Sequence, residues 1–117
     1  MCKMLLVDDD EMVRCSLSAI LANMGHDVIQ AQDGLEATTI YKLQHDEIDL
    51  VIMDIMMPVM DGVTATRSIK SNHPAAKIIL MSGFAGQMPP VEADAFLYKP
   101  FSKNALSESI RHMLPTA

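Results

Sequence analysis

Five short, largely apolar runs punctuate this chain at intervals, and four of them stop dead at a polar or charged side chain. They are Lys3–Val7, Asp27–Ala31, Leu50–Met53, Lys77–Met81 and Ala95–Tyr98. Their apolar residues are consecutive rather than alternate, as in strands covered on both faces of a parallel sheet. Helix-like stretches separate them. Glu11–Met24 carries Val13, Leu17, Ile20, Leu21 and Met24 at helical spacing, with Gly25 as a stop. Asp33-Gly34 turns the chain into a second helix over Leu35–His45. A third spans Gly62–Asn72 and ends at His73-Pro74, because a residue before proline avoids helical dihedrals. The last covers Ser102–Met113, with Ser102 as N-cap. Regular alternation of strand and helix implies right-handed crossovers and a doubly wound α/β sheet. At 117 residues the chain is expected to be one domain, 1–117.

In such folds ligands bind at the carboxyl ends of the strands. The first run ends in Asp8-Asp9-Asp10, the third in Asp54, the fourth in Ser82-Gly83 and the fifth in Lys99-Pro100. Each of these alone has an ordinary reading, as a solvated loop, a turn or a helix start. Together they place several carboxylates, a hydroxyl and an ammonium on one edge. Carboxylates crowded without a cation repel one another. An oxygen-rich acidic cluster suits Mg²⁺, and Asp8, Asp9 and Asp54 are balanced in charge by Lys99 and one such ion. A neutral site of this kind can accept a phosphoryl group.

Composition narrows the partners. Net charge is −6, so a surface that binds nucleic acid directly is disfavoured. No apolar run approaches the ~20 residues of a membrane span, and the apolar start is too short for a signal peptide. No membrane insertion and a cytoplasmic location are expected. Cys2 and Cys15 are too few for a disulfide framework or a zinc site. His26, His45, His73 and His112 match no metal spacing and are read as surface groups.

Val7-Asp8-Asp9-Asp10, Met53-Asp54-Ile55-Met56-Met57-Pro58-Val59-Met60-Asp61-Gly62, Met81-Ser82-Gly83 and Lys99-Pro100-Phe101 resemble the signature blocks of the response-regulator receiver family, in order and over nearly the whole chain. The resemblance implies a flavodoxin-like five-stranded sheet of order 2-1-3-4-5. It implies that Asp54 is the phosphoacceptor, taking phosphate from the phosphohistidine of a histidine kinase or histidine phosphotransfer protein and signalling to a downstream effector of unknown identity. Asp9 is similar to the direct Mg²⁺ ligand and Asp8 to the ligand acting through water, with Asp54 and the Met56 backbone carbonyl completing the set. Mn²⁺ is an alternative ion. Lys99 resembles the phosphate-pairing lysine, Ser82 the switch hydroxyl and Phe96 the aromatic that follows it. A cis bond at Lys99-Pro100 is also implied. Asp10 reads as a helix start, and a core role for Phe96 is the competing reading. The protein would be no enzyme beyond catalysing its own phosphorylation and dephosphorylation. With no effector sequence after Ala117, the chain would be a stand-alone regulator or a piece of a longer one.

Rival readings fit less well. A phosphatase with an aspartate nucleophile needs a second carboxylate two residues later, where Met56 stands. A flavodoxin-type electron carrier needs a phosphate loop after the first strand, where Asp8-Asp9-Asp10 would repel the ligand. A degenerate docking module would be expected to lack one of the acidic pair, the acceptor or the lysine.

Two departures from the family pattern carry expectations. Only seventeen positions separate Ser82 from Lys99, and Pro89-Pro90 interrupts them. The fourth helix, over Phe84–Ala93, is therefore expected to be shortened or missing. In the family, the positions two after the acceptor and two after the switch hydroxyl flank the path of the attacking water. Here they hold Met56 and Phe84, neither of which orients water well, so slow loss of phosphate is expected.

Overall fold

The computed structural model describes residues 2–83 and 93–114. In chain order these form β1 (Lys3–Val7), α1 (Glu11–Asn23), β2 (Asp27–Ala31), α2 (Gly34–Gln44), β3 (Leu50–Asp54), α3 (Gly62–Asn72), β4 (Ile78–Ser82), β5 (Ala95–Tyr98) and α4 (Lys103–Met113). The strands make one parallel sheet in the order β2-β1-β3-β4-β5. β3 and β4 each run one residue past their apolar runs. Asp54 pairs with Met81 and Ser82 with Tyr98, so the ladder itself holds both polar side chains.

The period of two along each strand divides the core into two layers. Leu5, Val7, Val51, Met53, Ile78 and Leu80 face one way, against Ala37 and Tyr41 of α2 and Ala65 and Ile69 of α3. Met4, Leu6, Leu50, Ile52, Ile79 and Met81 face the other way, against Leu17 and Leu21 of α1 and Leu106 and Ile110 of α4. The expected covering of both faces holds for β1, β3 and β4. β2 and β5 are the edge strands, and they stay half-buried or exposed over most of their length.

Side-chain caps start the helices. Asp10 accepts from the backbone N–H groups of Met12 and Val13, Asp33 from Glu36, Asp61 from Thr64 and Ser102 from Ala105. Each cap contributes about 1 kcal/mol to its helix. Gly25, at φ +93°, turns the chain out of α1 toward β2 in a conformation that only glycine adopts without strain. None of the described helices is long and apolar enough to cross a membrane. The expected loss of a helix between β4 and β5 falls on residues 84–92, outside the described residues.

The histidines correct the sequence reading. Among the four, only His112 is exposed; His26, His45 and His73 are half-buried. His45 and His73 follow the last residues of α2 and α3, and the packing of these two helices stacks the rings 4.2 Å apart.

Candidate acidic site at the carboxyl edge of the sheet

The strand ends bring the candidate residues together. Asp8 follows β1, Asp54 ends β3, Ser82 ends β4 and Lys99 follows β5. One carboxylate oxygen from each of Asp8, Asp9 and Asp54 lies within 4.8 Å of the others. Asp8 and Asp54 are buried and Asp9 is exposed. Lys99 Nζ donates to Asp8 Oδ2 at 2.9 Å and lies 3.5 Å from Asp54 Oδ1. The other oxygen of Asp8 accepts from the Asp10 N–H at 2.9 Å.

Charge is not balanced in this arrangement. Burial, opposed by Lys99 and reinforced by Asp8 and Asp9, pushes the Asp54 carboxyl from 3.8 up to about 6. Burial works against the Lys99 ammonium, but the carboxylates of Asp8 and Asp54 overcome it and raise its pKa. Three carboxylates and one ammonium leave two negative charges over. An all-oxygen donor set with that deficit fits a hard divalent cation such as Mg²⁺, and far less well a soft metal.

The loop after Asp54 is built to fixed dimensions. The Ile55 N–H donates to the Met81 carbonyl at 2.9 Å, and the Gly62 N–H returns to the Ile55 carbonyl at 2.8 Å. A Cβ on Gly62 would collide with the Asp54 carbonyl oxygen, so only glycine lets α3 start this close to the acceptor strand. Gly34 has a similar duty that the sequence reading missed. Its place in the Asp33-Gly34 turn does not announce it, yet a Cβ there would collide with the Met60 carbonyl oxygen, to which the Gly34 N–H donates. The sequence carries no local sign of this, because the contact joins residues 26 positions apart. Val59 sits at φ +70° between Pro58 and Met60, and the Met60 N–H donates to the Pro58 carbonyl at 2.7 Å. For a β-branched residue this is a strained three-residue turn.

The remaining expected residues surround the cluster. Ser82 is fully buried, and its carbonyl accepts from the Lys99 N–H at 2.7 Å. Lys99-Pro100 is cis, as expected. Phe96 is half-buried, packs on the core layer of α2 and α3, and meets Tyr98 edge-on with ring centroids 4.8 Å apart. Met56 is 58% exposed, on the rim of the site. Asp10 caps α1 rather than joining the cluster. Phe84 lies outside the described residues.

Residues 4–111 match the response regulator receiver domain. The chain belongs to that family. Among curated relatives it is 37% identical to the chemotaxis protein CheY of Halobacterium salinarum over 118 residues, covering 96% of each. It is also 37% identical over 115 residues to the sensor kinase CckA of Brucella abortus, covering 94% of this chain and 12% of that protein. Among solved structures, the response regulator TrrA of Thermotoga maritima, in complex with Mg²⁺–BeF, superposes with a TM-score of 0.87 at 31% identity, covering 97% of this chain and all of that one. As a receiver domain, the chain is a phosphoacceptor module of two-component signalling, in a family that binds Mg²⁺. The acidic cluster stands where the fold puts its ligands.

Proposed function

We propose that Asp54 is the phosphoacceptor of this receiver domain, and that a histidine kinase or histidine phosphotransfer protein supplies the phosphoryl group. The observation that carries this is the convergence of the three carboxylates and Lys99 at the end of β3. With a pKa of about 6, Asp54 is ionised at neutral pH and available as a nucleophile. One Asp54 carboxylate oxygen bonds to phosphorus while the phosphorus–nitrogen bond of the donor phosphohistidine breaks. The freed imidazole nitrogen keeps the electron pair and takes up a proton.

Lys99 is already drawn to the site by Asp8 and Asp54, so its ammonium can pair with the added phosphoryl oxygens without new reorganisation. Ser82 ends β4, the strand beside β3, and on this reading its buried hydroxyl would meet the phosphoryl group. Its bond to the phosphoryl group would draw the β4 end inward, and Phe96 in the neighbouring strand would repack to signal a partner. Asp9 and, through water, Asp8 would hold Mg²⁺ or Mn²⁺, with Asp54 and the Met56 carbonyl. The ion would neutralise charge on the transferred group. On this reading the chain is no enzyme beyond its own phosphorylation and dephosphorylation, and its acidic surface makes direct nucleic-acid contact unfavourable.

The test is incubation with a small phosphodonor, acetyl phosphate, with and without Mg²⁺. One phosphoryl group per chain is expected in intact-protein mass spectra, lost with EDTA and lost in Asp54→Asn. Lys99→Ala should reduce the adduct while leaving Mg²⁺ binding largely in place. An undiminished adduct on Asp54→Asn would refute the assignment.

A further inference from the structure

Asp8 and Asp9 can act as a pair only if the backbone carrying them is held still, and one side chain outside the cluster does much of that holding. Arg14, in the first turns of α1, donates from Nη1 to the Asp8 backbone carbonyl at 2.7 Å. Its Nε donates to Gln30 Oε1 on β2 at 3.1 Å. From the other side, the Asp8 N–H donates to the Ala31 carbonyl of β2 at 3.2 Å. The peptide groups flanking Asp8 are therefore tied between α1 and β2, while Asp10 N–H and Lys99 fix its two carboxylate oxygens. Asp9 is exposed and has no hydrogen bond of its own among the described residues, so its place depends on the chain to either side.

We propose that Arg14 is a positioning residue for the metal-binding pair Asp8 and Asp9, acting through the Asp8 carbonyl and anchored by Gln30. The proposal rests on the metal reading given above. A guanidinium suits the task because its planar fork sends N–H groups in two directions at once, toward a carbonyl and toward an amide oxygen. An ammonium reaches one of them.

Two roles for Arg14 predict opposite signs. As a bystander, Arg14 is a cation close to an acidic cluster, and removing its charge would tighten binding of a divalent cation. As a brace, its removal lets the Asp8-Asp9 backbone shift, and groups that orient metal ligands typically cost tenfold or more in metal affinity when lost. Gln30→Ala separates the two cleanly, because it removes the anchor without changing charge.

The experiment is calorimetric titration of the full chain with Mg²⁺, alongside melting midpoints in EDTA. Arg14→Gln should bind Mg²⁺ about tenfold more weakly than wild type, against the direction of its charge change. Gln30→Ala should weaken it on the order of threefold, and Arg14→Lys should recover part of the loss. Midpoints in EDTA should stay close to wild type, showing that the loss is local to the site. Equal or tighter binding by Arg14→Gln overturns the proposal. If Arg14→Gln does not fold, unchanged affinity in Gln30→Ala overturns it equally. A wild type that binds no Mg²⁺ overturns the metal reading itself, and this inference with it.

Discussion

Replacing Asp54 by asparagine in the metal-free protein isolates the electrostatic strain at the centre of the site. The carboxyl titrates at about 6 in the folded chain, against an ordinary value of 3.8, chiefly because it is buried. The fold therefore holds this proton more tightly than the unfolded chain does. The stabilisation this gives is fully present below about pH 4 and is lost as pH rises through about 6. At about 1.4 kcal/mol for each tenfold, the loss amounts to about 3 kcal/mol. Asparagine keeps the shape and neutrality of the protonated form at every pH. In EDTA, urea unfolding should show Asp54→Asn and wild type nearly equal at pH 4. The variant should become more stable by about 3 kcal/mol at pH 8, a rise on the order of 10 °C in melting midpoint. Groups that do not interact with Asp54 cancel in the difference. Saturating Mg²⁺ should shrink the gap, because a cation that binds only the folded wild type stabilises it by mass action. A difference that does not change with pH, or a variant less stable than wild type at pH 8 in EDTA, would refute the reasoning.

Gly62→Ala should lower the unfolding free energy by about 3 kcal/mol or prevent folding, because the new methyl meets the Asp54 carbonyl rather than a side chain that could move aside; a loss below about 1 kcal/mol in urea unfolding would contradict the packing described. Val59→Gly should raise stability by about 1 kcal/mol, the relief of a positive φ exceeding the entropy cost of glycine at this exposed position, and the same denaturation assay checks it. Met56→Asn should speed loss of phosphate by up to about tenfold, since an amide on the rim can orient water where a thioether cannot, and Phe84→Glu should add to the effect. An unchanged rate in the purified, labelled protein would set that idea aside.

The strands were legible in the sequence because continuous burial writes continuous apolar runs, and four of their ends were marked by Asp8, Asp54, Ser82 and Lys99. Those ends are also why the site was legible: the topology of a parallel sheet carries all of them to one edge. Asp10 and Ser102 were readable as caps from their place before periodic helices. The edge character of β2 and β5 was not readable from the composition of either run; it followed only from the strand order 2-1-3-4-5 that the family resemblance implies, which the sheet adopts. Gly34 and Arg14 were missed for a related reason. Each acts on a backbone carbonyl, Met60 or Asp8, and a carbonyl leaves no mark of its own in a sequence. The stacking of His45 on His73 needs two helix ends to meet, which no local pattern records.

Locating the modified residue tests the central claim most directly. The chain is phosphorylated by acetyl phosphate with Mg²⁺ and then reduced with borohydride, which converts an aspartyl phosphate to homoserine that peptide mass spectrometry can place. Homoserine at residue 54 and nowhere else is the predicted result. Conversion at Asp8 or Asp9 with Asp54 intact, or no conversion of any aspartate in protein that is folded and bound to Mg²⁺, would contradict it.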